Sequence, residues 1–492
     1  MDVLLPFGAA VIFSLLSFQR PHSIFGEREM IDNAVASAER AFEVYSELSQ
    51  EGIAAFLERI GEEVSALGDS VITTAAQETG LTTDRLNGER TRTVNQLRLF
   101  ADVARKGEWK DVRVDPSLPD RKPMPRPDLR RTSISIGPVA VWAASNFPLA
   151  FSVAGGDSAS ALAAGCPVIL KVHPGHPKTS ALVATAIGKA IEACALPAGV
   201  FTVVEGTSPE ISLALVRHPG VKAGAFTGSL RAGRALFDAA AARPEPIPFF
   251  AEMGSVNPVF LLPEAIAKRG DAIAEGFAKS VNMGFGQFCT SPGLAIGITS
   301  GEFDRFAEQL RSQFARTNSG VMLTSGIASA YCDAIAHIGN IDGIRVTQGE
   351  GSGPGPALFE TNAQAFLAHS ELRHEVFGPS TILIRCESQT ELESVSRSLE
   401  GSLTATIHGT ERDLREQGAL LKILKRKAGR LILNGYPTGV EVCAAMHHGG
   451  PYPSTTDPRF TSVGTAAIAR FGRPICYQDF PPEFLPAELR SV

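Results

Sequence analysis

The chain has 492 residues, 44% of them apolar and 20% charged, and a formal net charge of -6. That length exceeds what one hydrophobic core fills, so two or more domains are expected, and the acidic balance argues against a nucleic-acid binder. Seven scattered cysteines with no CxxC pair give no disulfide framework and fit a reducing cytoplasm.

The segment 3–18, "VLLPFGAAVIFSLLSF", is almost free of polar residues. It is shorter than the roughly 20 residues of a spanning helix, so no membrane association is expected. Asp2 rather than a basic residue precedes it and no small-x-small site follows, so a buried strand or packed arm is expected over a secretory signal. From Glu27 to Ala104 apolar residues recur at three and four, as in "IAAFLERIGEEVSAL" and "TVNQLRLFADVA", which predicts helices punctuated by Gly80 and Gly88. The stretch Asp115–Arg131 holds five prolines and reads as an extended connector or an arm against a neighbouring subunit.

A strand-helix rhythm follows. "VAVWAA", "PVILKV", "VFTVVEG" and "VKAGAFTG" read as strands, with "FSVAGGDSASALAAG", "TSALVATAIGKAIEAC" and "ISLALVRHP" as the helices between them. After Pro258 the rhythm resumes with strands "VFLLP", "LAIGITS" and "STILIRC". The alternation predicts an α/β chain of two parallel-sheet units joined near residues 245–260.

Four places carry chemistry. Cys289, in "GFGQFCTSPGL", sits in a tight bend read as leading into a helix. A thiol attacks as thiolate, so either its pKa falls or a neighbouring base helps. Glu252, in "PFFAEMGSVNPVF", follows an aromatic run whose desolvation would raise its pKa toward that of a general base. Asn146, in "WAASNFPLAF", follows a buried strand and offers an amide N–H to an oxyanion. Gly228 and Ser229, in "FTGSLRAGRAL", open a helix whose free N–H groups suit a phosphate. Singly, each has an ordinary structural explanation: a core thiol, a paired glutamate, a turn asparagine, a helix cap.

Together the blocks "ASNFPLAFSVAGGDSASALAAGCPVILK", "RPEPIPFFAEMGSVNPVFLLP", "GQFCTSPGL", "EVFGPS" and "NGYPTGVEVCAAMHHGGPYPST" resemble the NAD(P)-dependent aldehyde dehydrogenases. The likeness is to the branch of 2-oxoglutarate semialdehyde (2,5-dioxopentanoate) and NADP-linked fatty aldehyde dehydrogenases. It implies two Rossmann-like domains and an oligomerising arm. The cofactor domain would span 1–116 and 134–250, and the catalytic domain 251–435. The arm would span 117–133 and 471–492, and a return segment along the substrate tunnel 436–470. Cys289 would attack the aldehyde, Asn146 would hold the oxyanion and Glu252 would activate water. Lys171, Gly228, Ser229, Glu375 and Phe377 would contact the cofactor. Pro174 replaces the acid expected three residues beyond Lys171, which favours NADP over NAD. Phe147, Phe288 and Arg459 would line the substrate pocket, and the assembly would be a homodimer or homotetramer.

The pairs His173/His176 and His447/His448 lack a third ligand in the sequence, so no metal is expected. A cofactor-free thiol hydrolase would need a histidine beside Cys289 and no dinucleotide site, and the sequence suggests neither. A silent scaffold would lack Asn146, Glu252 or Cys289, and all three are present.

Overall fold

The computed structural model describes residues 24–351 and 353–490; the apolar segment 3–18 lies outside them. Four helices open the described chain, Ile24–Tyr45, Gln50–Ala66, Gly68–Thr79 and Thr83–Lys106. Ser49 and Thr82 cap the second and fourth by accepting from the N–H of Gly52 and Arg85. Gly80 ends the third helix in a left-handed turn at φ 69°. Gly88, expected to interrupt, instead lies inside Thr83–Lys106 on the exposed face. An interior glycine costs a helix only about 1 kcal/mol, which the buried opposite face outweighs.

The first sheet has five parallel strands in the order Phe201–Val204, Val168–Lys171, Val139–Trp142, Ala223–Thr227, Phe249–Glu252. The chain starts in the middle strand and winds first one way, then the other. Strand order therefore reverses beside Val139–Trp142, where such sheets leave a crevice at their carboxyl ends. Helices cover both faces: Val141, Leu170 and Ala225 pack toward one core, and Ala140, Ile169 and Phe226 toward the other. The helix expected from Phe151 begins only at Gly156. Gly155 is the reason, because it is extended and a Cβ there would lie 2.6 Å from the Ala150 carbonyl.

The chain crosses to a second sheet between Glu252 and Val259. Its seven strands run Arg345–Gln348, Ala357–Asn362, Ser380–Cys386, Leu294–Ile298, Val259–Leu261, Ser402–His408, Ala428–Leu433. All pair in parallel except the first, which is antiparallel to its neighbour. Four of these strands have no counterpart in the sequence reading. Ser402–His408 shows why: it is buried at every position, so a parallel strand covered on both faces shows no alternation.

A third, antiparallel sheet joins Arg113–Asp115, Leu129–Ser135 and Gly472–Gln478. The proline-rich stretch is thus largely the turn of a hairpin. The C-terminal return also binds the first sheet. Met253 N–H donates to the Ser454 carbonyl at 2.7 Å, and Arg470 forms a buried ion pair with Asp157 at 2.8 Å. These contacts bring residues 447–462 over the carboxyl ends of the first sheet, where the candidate site lies.

Candidate active site

Three strand ends and one loop meet in a cleft of about 1210 Å³. Asn146 follows Val139–Trp142, Gly228 and Ser229 follow Ala223–Thr227, and Glu252 ends its own strand; all line the cleft together with Cys289. Cys289 lies between the helical turn Met283–Gly286 and strand Leu294–Ile298, so its bend leads into a strand and not into a helix. Gly286, at φ 65°, lets that bend press against Gly378: a Cβ would sit 2.2 Å from the Gly378 backbone. Asn257 fixes the other side. Its amide donates to the carbonyls of Cys289 (2.8 Å) and Ser291 (3.0 Å), while its own oxygen accepts from Ser255 (2.8 Å).

The sequence reading saw no histidine near the thiol. The fold supplies one. His448 Nε2 lies 3.4 Å from Cys289 Sγ and 3.0 Å from Glu252 Oε1. The Ser462 hydroxyl donates to the other Glu252 oxygen, and the His448 backbone N–H donates to Thr461 Oγ1 at 2.8 Å. His448 Nδ1 is buried with no partner among the described residues, whereas Nε2 faces the acceptor-only Glu252 carboxylate and so carries the proton of the resting ring. The donor atoms of Glu252, Cys289 and His448 all lie within 4.8 Å of one another, a three-donor set that the histidine pairs alone did not suggest. His173 and His176 instead stack on each other, with His176 held by the Ala144 carbonyl.

Electrostatics correct one expectation. Burial pushes the Glu252 carboxyl up, but the charge and hydrogen bond of His448, with help from Ser462 and Cys289, outweigh it and leave the group below its ordinary range. Burial, reinforced by the Glu252 charge, holds the Cys289 thiol well above its ordinary value. The resting pair is therefore a carboxylate and a thiol. Of the two routes to a thiolate, a lowered pKa is not the one taken, and a base in contact with sulfur is required.

The cleft suits a dinucleotide. Ser229 caps helix Leu230–Ala241, its oxygen accepting from Ala232, so this N-terminus faces the cleft beside Arg231. Glu375 and Phe377 line the same cleft nearer Cys289, and burial lifts Glu375 to about 7. Lys171 ends its strand but is buried, its ammonium donating to the carbonyls of Val172 (2.9 Å) and Gly206 (2.7 Å). Neither Lys171 nor Pro174 is among the residues lining the cleft, whereas His173 between them is.

Phe147 and Phe288 stack edge to face at 5.4 Å, one residue from Asn146 and Cys289 respectively. Arg459 lies outside the residues lining the cleft, where its exposed guanidinium pairs with Asp457. Its partner, the half-buried Asp457, stands two residues away, so the arginine serves a local turn. Arg85 lies over both rings and Arg92 over neighbouring Phe151; both come from helix Thr83–Lys106, stand just outside the residues lining the cleft, and were missed by the sequence reading. Their signal was an Arg85, Glu89, Arg92 stripe at helical spacing.

A thiol, an imidazole and a carboxylate gathered at the mouth of such a crevice fit an oxidoreductase acting on a carbonyl beside a dinucleotide. The aldehyde dehydrogenase family model matches residues 24–470, and the chain belongs to that family. It is an aldehyde dehydrogenase, using NAD(P) to oxidise an aldehyde. Alpha-ketoglutaric semialdehyde dehydrogenase 2 of Azospirillum brasilense is 51% identical over 466 residues, 94% of this chain and 89% of that protein. Alpha-ketoglutaric semialdehyde dehydrogenase of Acinetobacter baylyi is 47% identical over 467 residues, 94% of this chain and 88% of that one. The solved 1-pyrroline-5-carboxylate dehydrogenase from Thermus with bound NAD shares the fold, with a TM-score of 0.77 at 22% identity over 92% of this chain and 86% of its own. Among the described residues no helix is long and apolar enough to cross a membrane.

The Glu252 charge raises the thiol pKa, so removing it must lower that pKa. Alkylation of Cys289 by iodoacetamide, followed by peptide mass mapping, is expected to rise through pH 7–9 without a plateau. In Glu252→Gln the profile moves to lower pH, by about tenfold in rate at fixed pH for each unit of pKa. A profile that stays put or moves upward contradicts the arrangement.

Proposed function

We propose that the protein oxidises 2-oxoglutarate semialdehyde (2,5-dioxopentanoate) to 2-oxoglutarate. The substrate follows from the two relatives that share about half of its residues along nearly the whole chain. The chemistry is carried by one observation, the contact of His448 with both Cys289 and Glu252.

His448, once its ring proton has shifted from Nε2 to the free Nδ1, takes the thiol proton on Nε2 as sulfur adds to the aldehyde carbon. Glu252 steadies the imidazolium that results. The thiohemiacetal oxyanion receives one N–H of the Asn146 amide and the backbone N–H of Cys289. Asn146 is placed for this because its other N–H is fixed to the Gln287 carbonyl at 3.1 Å, which orients the amide. Bound NAD(P) supplies the hydride acceptor that turns this adduct into a thioester on Cys289. Ser229, the helix it caps, Glu375 and Phe377, which line the cleft, would hold the dinucleotide. Glu252 then draws a proton from water, and hydroxide attack frees the carboxylate and regenerates the thiol.

Copies of the chain associate through the three-stranded sheet, in a dimer or tetramer. Exposed Met124 and Phe484, from the hairpin turn and the C-terminal tail beside that sheet, support this reading.

Rapid mixing separates the two proton carriers. Glu252→Gln is expected to give one equivalent of reduced cofactor and then stall, because thioester hydrolysis lacks its base. His448→Asn slows the burst itself, by about 100-fold or more given the 10²–10⁴-fold typical of general base catalysis. A Glu252→Gln enzyme without a burst would place the carboxylate before hydride transfer and overturn this order.

NADP is used at least as well as NAD, because Pro174 presents no carboxylate to a 2′-phosphate. Steady-state kcat/KM for both cofactors at saturating aldehyde tests this. A clear NAD preference would refute it and assign the discrimination to Glu205, whose charge acts on Lys171.

A further inference from the structure

Helix Thr83–Lys106 turns one stripe, Arg85, Glu89 and Arg92, toward the segment after Asn146. Glu89 Oε1 accepts the backbone N–H of Leu149 (2.8 Å) and Ala150 (2.9 Å), which locks that segment to the helix. Arg85 donates to the Asn146 carbonyl at 2.7 Å, and its guanidinium lies over the rings of Phe288 (4.9 Å) and Phe147 (5.1 Å). Arg92 donates to the Val440 carbonyl and lies 5.8 Å over Phe151, whose ring stacks on Phe147.

Two of these cationic N–H groups are unused. Arg85 Nη1 and Arg92 Nε are buried with no hydrogen-bond partner among the described residues. A buried guanidinium N–H left unpaired is costly, so a ligand acceptor is the natural complement. Glu89 does not pair with either: its Oε1 is committed to the backbone, its Oε2 is buried with no partner among the described residues, and burial lifts its carboxyl to about 7, which limits its negative charge at neutral pH. Arg85 is close to the approach to the nucleophile, since a Cβ on Gly284 would lie 2.9 Å from its Nη1. The charge of Arg92 acts on Cys289 itself. An uncharged aldehyde offers nothing to these donors, whereas a carboxylate offers two planar acceptors matched to guanidinium.

We propose that Arg85 and Arg92 hold the carboxylate at the far end of the substrate, so that the enzyme selects aldehydes bearing an anion opposite the carbonyl. This rests on the semialdehyde reading above and names the residues that enforce it. Both are positioning residues, acting on the end of the substrate away from the reacting carbon.

The test compares kcat/KM for 2-oxoglutarate semialdehyde and for pentanal, an uncharged aldehyde of equal chain length, in the wild type, Arg92→Met, Arg92→Lys and Arg85→Met. The wild type is expected to favour the semialdehyde strongly. Each methionine variant should lower that ratio by roughly 10- to 100-fold, through KM rather than kcat, as for a lost charge-assisted hydrogen bond. Arg92→Lys should restore part of it. In the wild type alone, 2-oxobutyrate should compete with pentanal while butanone does not. A wild-type ratio near one would defeat the semialdehyde reading. A strong wild-type preference that survives both methionine changes, or no competition by 2-oxobutyrate, would defeat the anchor and leave that reading standing.

Discussion

One nitrogen governs this site. His448 Nε2 stands between a carboxylate at 3.0 Å and a thiol at 3.4 Å; carboxylate and imidazole are buried and the thiol partly so, where water does little to screen them. The contact accounts for both perturbed groups: it holds the carboxyl down against burial, and the carboxylate in turn holds the thiol up. The result is a thiol held in its less reactive, protonated form. A permanently ionised thiol would invite oxidation and alkylation, to which thiolates are the susceptible form.

Much of the fold serves to bring that contact about. The reversal of strand order opens the crevice, the crossing after Glu252 hands the chain to the second sheet, and Asn257 ties the Cys289 turn by two carbonyls. The histidine arrives from the opposite end of the chain, on a return segment held to the first sheet by Met253 with Ser454 and by the buried Arg470–Asp157 pair. The carboxylate and the imidazole thus sit on separate elements, each braced by its own backbone hydrogen bonds. Such bracing gives the sub-ångström placement that covalent catalysis needs.

What was legible in the sequence follows from how each residue is placed. Asn146, Gly228 and Glu252 stand at or just past the ends of apolar strands, where local pattern predicts both the element and its exit. Cys289 stands in a glycine-marked bend. His448 is 159 residues from the cysteine it touches, in a segment without regular structure, and no local pattern carries such a pairing. Arg85 and Arg92 sit in a helix that reads as amphipathic, and buried arginines look like surface ones until the partner segment is known. The direction of the Glu252 shift failed for the same reason: burial can be inferred from neighbours in the chain, a cation from a distant loop cannot. In the second sheet, strands such as Ser402–His408 carry serine, threonine and histidine at buried positions, so hydropathy alone does not outline them.

Sulfur is the atom proposed to carry the substrate through oxidation, with hydrolysis as a separate later step. Intact-mass analysis of Glu252→Gln enzyme, quenched in acid after one turnover with NADP and the semialdehyde, reads this directly. The protein should gain the mass of one 2-oxoglutaryl group, mapped to the peptide containing Cys289 and removed by hydroxylamine. Reduced cofactor formed with no adduct on that cysteine would contradict it.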